Sequence, residues 1–209
     1  MPRASPDLVR TRGSLIARLK NWEDQDSWRD FFNTYWKVIY GFAVKAGLTD
    51  AEAQDVVQET VLSVARKMPG FKYDPEVGSF KSWLLHTTEW RIKDQFRKRR
   101  IREQPGGRPR DATTRTATIE RIPDSTPSPN EAVWDRELQQ SLLEQAIQRV
   151  KALVTARQFQ IFDLYVIKNW PVHKVAQALG VNAGQVYLAK HRVAALVKKE
   201  VRQLERKII

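Results

Sequence analysis

The sequence predicts an all-α protein built as two small helical domains joined by a flexible linker. Three observations carry that expectation. Large apolar residues recur at helical spacing through most of the chain. No stretch alternates apolar and polar residues over the length of a strand. Between residues 101 and 128 the periodicity stops, in a segment holding Pro105, Gly106, Gly107, Pro109, Pro123, Pro127 and the threonines Thr113, Thr114, Thr116 and Thr118. The expected organisation is therefore a tail over 1–13, a helical domain over 14–100, a tether over 101–128 and a second helical domain over 129–209.

Each element has its own signals. Ser27 is the expected cap of a helix carrying Trp28, Phe31, Phe32, Tyr35, Trp36, Ile39, Phe42, Ala43 and Ala46, with Gly47 as its stop. Thr49 and Glu52 have the spacing of a capping box. The helix they open should bury Ala53, Val56, Val57, Thr60, Val61, Val64 and Met68, and Pro69-Gly70 should end it. After a loop from Phe71 to Ser79, a third helix should start near Phe80 and run into Arg97-Lys98-Arg99-Arg100. Beyond the tether, Ser128-Pro129-Asn130-Glu131 reads as a second capping box with proline at the first helical position. Its helix should bury Trp134, Leu138, Leu142, Ala146, Val150 and Leu153. A shorter helix around Phe159, Phe162, Tyr165 and Val166 comes next.

Composition narrows the function. Of 209 residues, 42% are hydrophobic, enough for a core. There is no cysteine, which excludes disulfides, thiolate metal sites and a cysteine nucleophile. No signal peptide or membrane span can be drawn, so a cytoplasmic protein without membrane insertion is expected. The net charge is +12, and two tracts hold it. Residues 91–115 carry ten basic and three acidic side chains, residues 183–207 seven and two. Two basic tracts so far apart suggest two places that meet a polyanion, where one alone would read equally well as a solvated face.

The second tract sits on a recognisable motif. Pro171 should open a helix with Val172, Val175, Ala176 and Leu179; Gly180 should make the turn, and Asn182 with Gln185 should cap a further helix in which Val186 is the first large buried residue. Ala176, Gly180 and Val186 have helix-turn-helix spacing: alanine permits close approach, glycine takes the turn, and valine locks the helices. A helical hairpin with no nucleic-acid role can share this spacing, and the basic tract favours the binding reading. The second helix would present Gln185, Tyr187, Leu188, Lys190, His191 and Arg192 to a major groove, with Lys198 and Lys199 near phosphates.

In the first half, Asp55-Val56-Val57-Gln58-Glu59-Thr60 is followed by Gly70-Phe71-Lys72-Tyr73-Asp74-Pro75, then Gly78-Ser79-Phe80-Lys81-Ser82-Trp83-Leu84, then Asp94 and Arg97 before the basic tail. This order and spacing resembles the core of bacterial sigma factors of the extracytoplasmic-function (ECF) type. The resemblance extends upstream to Thr11-Arg12 and Ser14-Leu15 and downstream to the helix-turn-helix. It implies an alternative sigma factor that directs RNA polymerase to promoters and helps open them, with no catalytic site, cofactor or metal of its own. Asp55, Gln58 and Glu59 would dock on the clamp helices of the polymerase's largest subunit. Lys72, Tyr73, Asp74, Ser79, Lys81, Trp90, Arg91, Lys93, Arg97, Lys98 and Arg99 would engage minus-ten DNA, and the helix-turn-helix residues the minus-thirty-five element. Phe71, Phe80 and Trp83 also offer aromatic surface, although Phe80 and Trp83 have core spacing. The chain departs from the pattern at Trp90, where asparagine is usual, and at Glu89, where a basic residue is usual. In the recognition helix Tyr187 and Ala189 replace basic residues and Lys190 an apolar one. An anti-sigma factor is a common partner in that family, but no residue here encodes a site for one.

Two other classes compete with this reading. One is a helix-turn-helix regulator that never joins polymerase. The other is an enzyme acting on nucleic acid, which the scattered His86, His173 and His191 and the lack of clustered carboxylates argue against. His86 and Glu89 could face one way on a helix, but two ligands do not make a metal site. The threonine cluster reads as linker composition, with a phosphorylation switch as the other reading.

Overall fold

The computed structural model describes residues 13–71, 79–103 and 128–208, and every regular element among them is helical. Two compact units result, one ending at Ser141 and the other spanning Leu142–Lys207. Among the described residues no helix is long and apolar enough to cross a membrane.

The first unit is built from α1 (Gly13–Leu19), α2 (Gln25–Lys45), α3 (Asp50–Lys67), α4 (Phe80–Glu103) and the start of α5 (Glu131–Leu153). The cap of α2 is Asp24, not Ser27: its carboxylate accepts from the Ser27 N–H at 3.0 Å and the Ser27 hydroxyl at 2.9 Å. A carboxylate suits the positive end of a helix better than a hydroxyl does. Helix α2 buries Phe31, Thr34, Tyr35, Val38, Ile39, Phe42 and Ala43. Phe32 is 44% exposed and stacks on Trp36, and Ala46 is exposed, so the expected apolar stripe was drawn too wide. Gly47 follows with φ +96°, the left-handed backbone that glycine allows at a helix end. The Thr49–Glu52 capping box forms as expected. Helix α3 buries Ala53, Val56, Val57, Thr60 and Val64, while Val61 is only half-buried. Met68-Pro69-Gly70 turns as a short 3-10 helix. Phe31, Tyr35, Phe71, Phe80 and Trp83 then form one chain of ring contacts that joins α2 to α4.

The unit boundary falls inside α5 rather than at residue 129. The physical reason is a set of contacts between residues 128–141 and the first unit. Trp134 is fully buried and meets Phe42 edge-on at 5.6 Å. Glu137 pairs with Lys45 and lies against Gly41, where a Cβ would collide with its carboxylate. The Ser141 hydroxyl donates to the Thr34 carbonyl at 3.2 Å. Ser128 does not complete the expected reciprocal box. Its hydroxyl accepts from the Asn130 N–H and donates to Glu89, while the Glu131 carboxylate goes to Lys81. At the other end Leu153 is 64% exposed, against the expectation that it is core.

The second unit continues α5 and adds α6 (Ala156–Phe162), a π-helical turn (Asp163–Ile167), α7 (Val172–Leu179) and α8 (Ala183–Ile208). Its core joins Ile161, Val175, Val186 and Ala189, with Leu164, Ala176 and Val181 packed against them. Gly180 takes φ +59° and lets the chain leave α7, with the Val181 N–H returning to the Ala176 carbonyl at 3.0 Å. Asn182 and Gln185 cap α8 reciprocally, each side-chain oxygen accepting the other's backbone N–H at 2.9 and 3.0 Å. The helix-turn-helix read from spacing is therefore formed.

These contacts make the start of α5 part of the first unit's stability. Trp134→Ala should cost about 3–5 kcal/mol, the usual range for deleting a buried tryptophan. It should also lower amide hydrogen-exchange protection in α2. Unchanged protection in α2 would show that residues 128–141 do not stabilise the first unit.

Candidate nucleic-acid interface

In the first unit the expected contacts fall on α3 and α4, which pair through opposite charges. Glu52 of α3 accepts from Arg99, with Nε–Oε1 at 2.9 Å. Glu59, two turns along, accepts from Arg91 and from Lys98, each at 3.0 Å. Ser63, a turn further on, accepts from Arg91 at 2.8 Å. The partners rise along α3 as they fall along α4, so the helices run antiparallel. Asp94 adds pairs to Arg97 and, at 3.2 Å, to Lys98.

This ladder sorts the expected residues. Asp55 and Gln58 are exposed on the outer side of α3, as the helical pattern required. Glu59 is not with them: it turns toward α4 beneath two cations, because the basic tract outcompetes water for its carboxylate. The Arg91 guanidinium also lies 4.9 Å from the centre of the Trp90 ring. Arg91, Lys98 and Arg99 thus lie on the side of α4 turned to α3, Arg97 stands away from it beside Asp94, and every one of them is paired. Lys93 is exposed and forms no ion pair among the described residues.

Lys81 is the clearest correction. Its side chain is 5% exposed, and its ammonium donates to Glu131 and Asp135, both at 2.9 Å. Burial draws its pKa down, but hydrogen bonds to Asp135 and Glu131 outweigh that and raise it overall. A buried cation held by two carboxylates is an internal fastening for α5, not an open contact for DNA. Ser79 caps α4 by accepting the Ser82 N–H at 3.1 Å. Phe80 and Trp83 are core, Phe71 is half-buried against them, and Trp90 and Phe96 are half-buried on α4. Lys72, Tyr73 and Asp74 lie outside the described residues, as does the threonine cluster. His86 is engaged locally with the Ser82 carbonyl at 2.7 Å. Glu89 is held by Ser128 at 2.7 Å and Asn130 at 2.8 Å, and no cluster able to hold a metal ion occurs among the described residues.

In the second unit Gln185, Tyr187, Leu188, His191 and Arg192 are all exposed on the first turns of α8. Lys190 is half-buried, with its ammonium 5.5 Å from the Tyr165 ring centre, and Tyr187 meets the same ring edge-on at 6.0 Å. Sequence reasoning missed this anchoring of α8 through Tyr165, since nothing local marks the pair. Ala189 is buried in the core, where a long basic side chain would not fit.

Residues 31–101, from α2 to the last turn of α4, match the family model described as Sigma-70 region 2. No curated protein sequence matches the chain significantly. Similar solved structures include an RsbN–BldN complex, with 14% identity over 88% of this chain and 97% of that one and a TM-score of 0.34. CnrH in complex with the cytosolic domain of CnrY is another, with 17% identity over 89% and 94% and a TM-score of 0.35. Likenesses of that size do not define the fold, which rests on the helices themselves. The first unit thus contains a sigma-70 region 2 domain.

The charge ladder has a pH signature. Arg99, with the Thr49 N–H, holds the Glu52 carboxyl at about 2 against an ordinary 4.5. Because the folded value is lowered, the resulting stability is complete above pH 4.5 and is lost as pH falls toward 2. Glu52→Gln keeps the capping amide but removes the charge. The gap in melting temperature between parent and variant should be constant near neutrality and close over that acid window. A gap that persists at the acid end would remove the Arg99 pairing as its cause.

Proposed function

We propose that this chain is an alternative sigma factor of the ECF type that directs RNA polymerase to promoters, acts in the cytoplasm and has no catalytic site. Asp55 and Gln58 dock on the clamp helices of the polymerase's largest subunit. Trp90, Arg91, Lys93, Arg97, Lys98 and Arg99 of α4, with Lys72, Tyr73 and Asp74 before them, capture the minus-ten element as it opens. Helix α8 reads the minus-thirty-five element. An anti-sigma factor is the partner that would restrain it. The observation that carries this reading is the region 2 match over residues 31–101, which spans both outward faces of the α3–α4 pair.

The proposed chemistry is strand capture without bond making. Base–aromatic stacking contributes about 1–3 kcal/mol per base, and Trp90 supplies a ring for it. Phosphates would replace Glu59 as the partner of Arg91 and Lys98. A partly exposed ion pair is worth only ~0–1 kcal/mol, so that exchange is nearly neutral, and counterion release then favours the DNA. A regulator that never joins polymerase would need none of the exposed acidic and amide surface of α3.

Glu59 is committed to Arg91 and Lys98, so the test of docking uses its exposed neighbours. Asp55→Arg with Gln58→Ala should melt within ~0.5 kcal/mol of the parent, as exposed changes do. The variant should lose most of its affinity for core polymerase in a pull-down, since truncating central interface residues costs about 2 kcal/mol or more. Salt-sensitive binding to duplex DNA in a gel shift should survive. Unchanged core binding by a folded variant would refute the docking face and favour the plain-regulator reading.

A further inference from the structure

The face that α8 turns outward is less free than its composition suggests. The Gln185 side-chain oxygen is spent on the Asn182 N–H. Tyr187 is held edge-on by Tyr165, and the Lys190 ammonium lies over that same ring. Leu188, His191 and Arg192 remain exposed, with no partner among the described residues. Leu188 is 51% exposed, although the buried side of α8 is already supplied by Val186, Ala189, Val193 and Val197. With Gln185, Arg157 and Arg192 it borders a depression of about 220 Å³ floored by Ile161 and Val181.

A leucine has nothing to offer a phosphate or a sugar. Single exposed leucines are ordinary on protein surfaces, but this one stands in the middle of the helix that would enter the groove. Within a major groove each base presents a different edge, and thymine alone presents a methyl group. Against a cytosine amine or a guanine carbonyl, Leu188 would strip water from a polar group and return no hydrogen bond. Against thymine it would bury apolar surface on both sides. We propose that Leu188 is a specificity-determining residue that selects a thymine in the bound duplex through its 5-methyl group. The inference rests on the reading of α8 as the DNA-reading helix and deepens it. Arg192, one turn further along, supplies charge beside it without an internal partner to surrender.

The test uses deoxyuridine, which differs from thymidine only by that methyl group. Holoenzyme assembled from the full chain and core polymerase first selects from duplexes randomised across the upstream promoter element. Each thymine in the enriched sequence is then replaced singly. One replacement should weaken parent binding about fourfold, the ratio that burying one methyl group supports. Leu188→Met, which keeps apolar reach, should retain that sensitivity. Leu188→Ser should melt with the parent and bind the two duplexes equally. Enrichment without any methyl-sensitive thymine, or sensitivity undiminished in Leu188→Ser, would overturn this proposal and leave the helix-turn-helix reading standing. No enrichment across the element would remove that reading and this proposal with it.

Discussion

The Glu59 carboxylate is the interaction around which the two faces of the first unit are arranged. By accepting from Arg91 and Lys98 it fixes the rotation of α3 against α4. Asp55 and Gln58 then face outward, and Arg91 and Lys98 are held on the α3 side of α4. The pair is not a large source of stability, since the Glu59 side chain is 30% exposed and such pairs contribute little. What it supplies is orientation. The burial that stabilises the unit lies elsewhere, in the ring contacts from Phe31 and Tyr35 through Phe80 to Trp83.

The start of α5 works by a different balance. Lys81 and Glu137 are nearly removed from water, and each is answered by opposite charge. Removing one member of such a set strands the rest in a poor solvent, which is more costly than losing the attraction itself. Gly41 belongs to the same arrangement, because any side chain there would occupy the place of the Glu137 carboxylate. Buried charge therefore specifies how residues 128–141 sit on the first unit, and Trp134 contributes most of the apolar burial there.

Features that depend on near neighbours were legible in the sequence. The Thr49–Glu52 and Asn182–Gln185 caps each satisfy a helix end within three residues, and the Gly180 turn and the Val186 lock follow from local spacing. The Sigma-70 region 2 core was legible too, because its motifs lie in one uninterrupted run. Pairings across sequence were not. Lys81 looked like a solvent-facing cation of a basic helix, since nothing near it announces Glu131 and Asp135. Glu59 looked like the neighbour of Gln58, although one residue of a helix is about 100° of rotation, enough to turn it toward α4. Phe32 and Trp36 show the opposite error: aromatic residues at core spacing that remain at the surface.

The two basic tracts consequently differ in kind. On α8, Arg192, Lys198 and Lys199 are exposed without an ion pair among the described residues, so a duplex can meet them as they stand. On α4, Arg91, Arg97, Lys98 and Arg99 already hold carboxylates, and a phosphate must displace Glu52, Glu59 or Asp94 to reach them. A single phosphate passing by gains little from that exchange. In the proposed reading, a strand held in register along the helix would replace several partners at once and add stacking on Trp90, so its gain would accumulate. In the proposed reading, paired cations would make the first unit a poor binder of casual polyanion and a better one of an aligned strand.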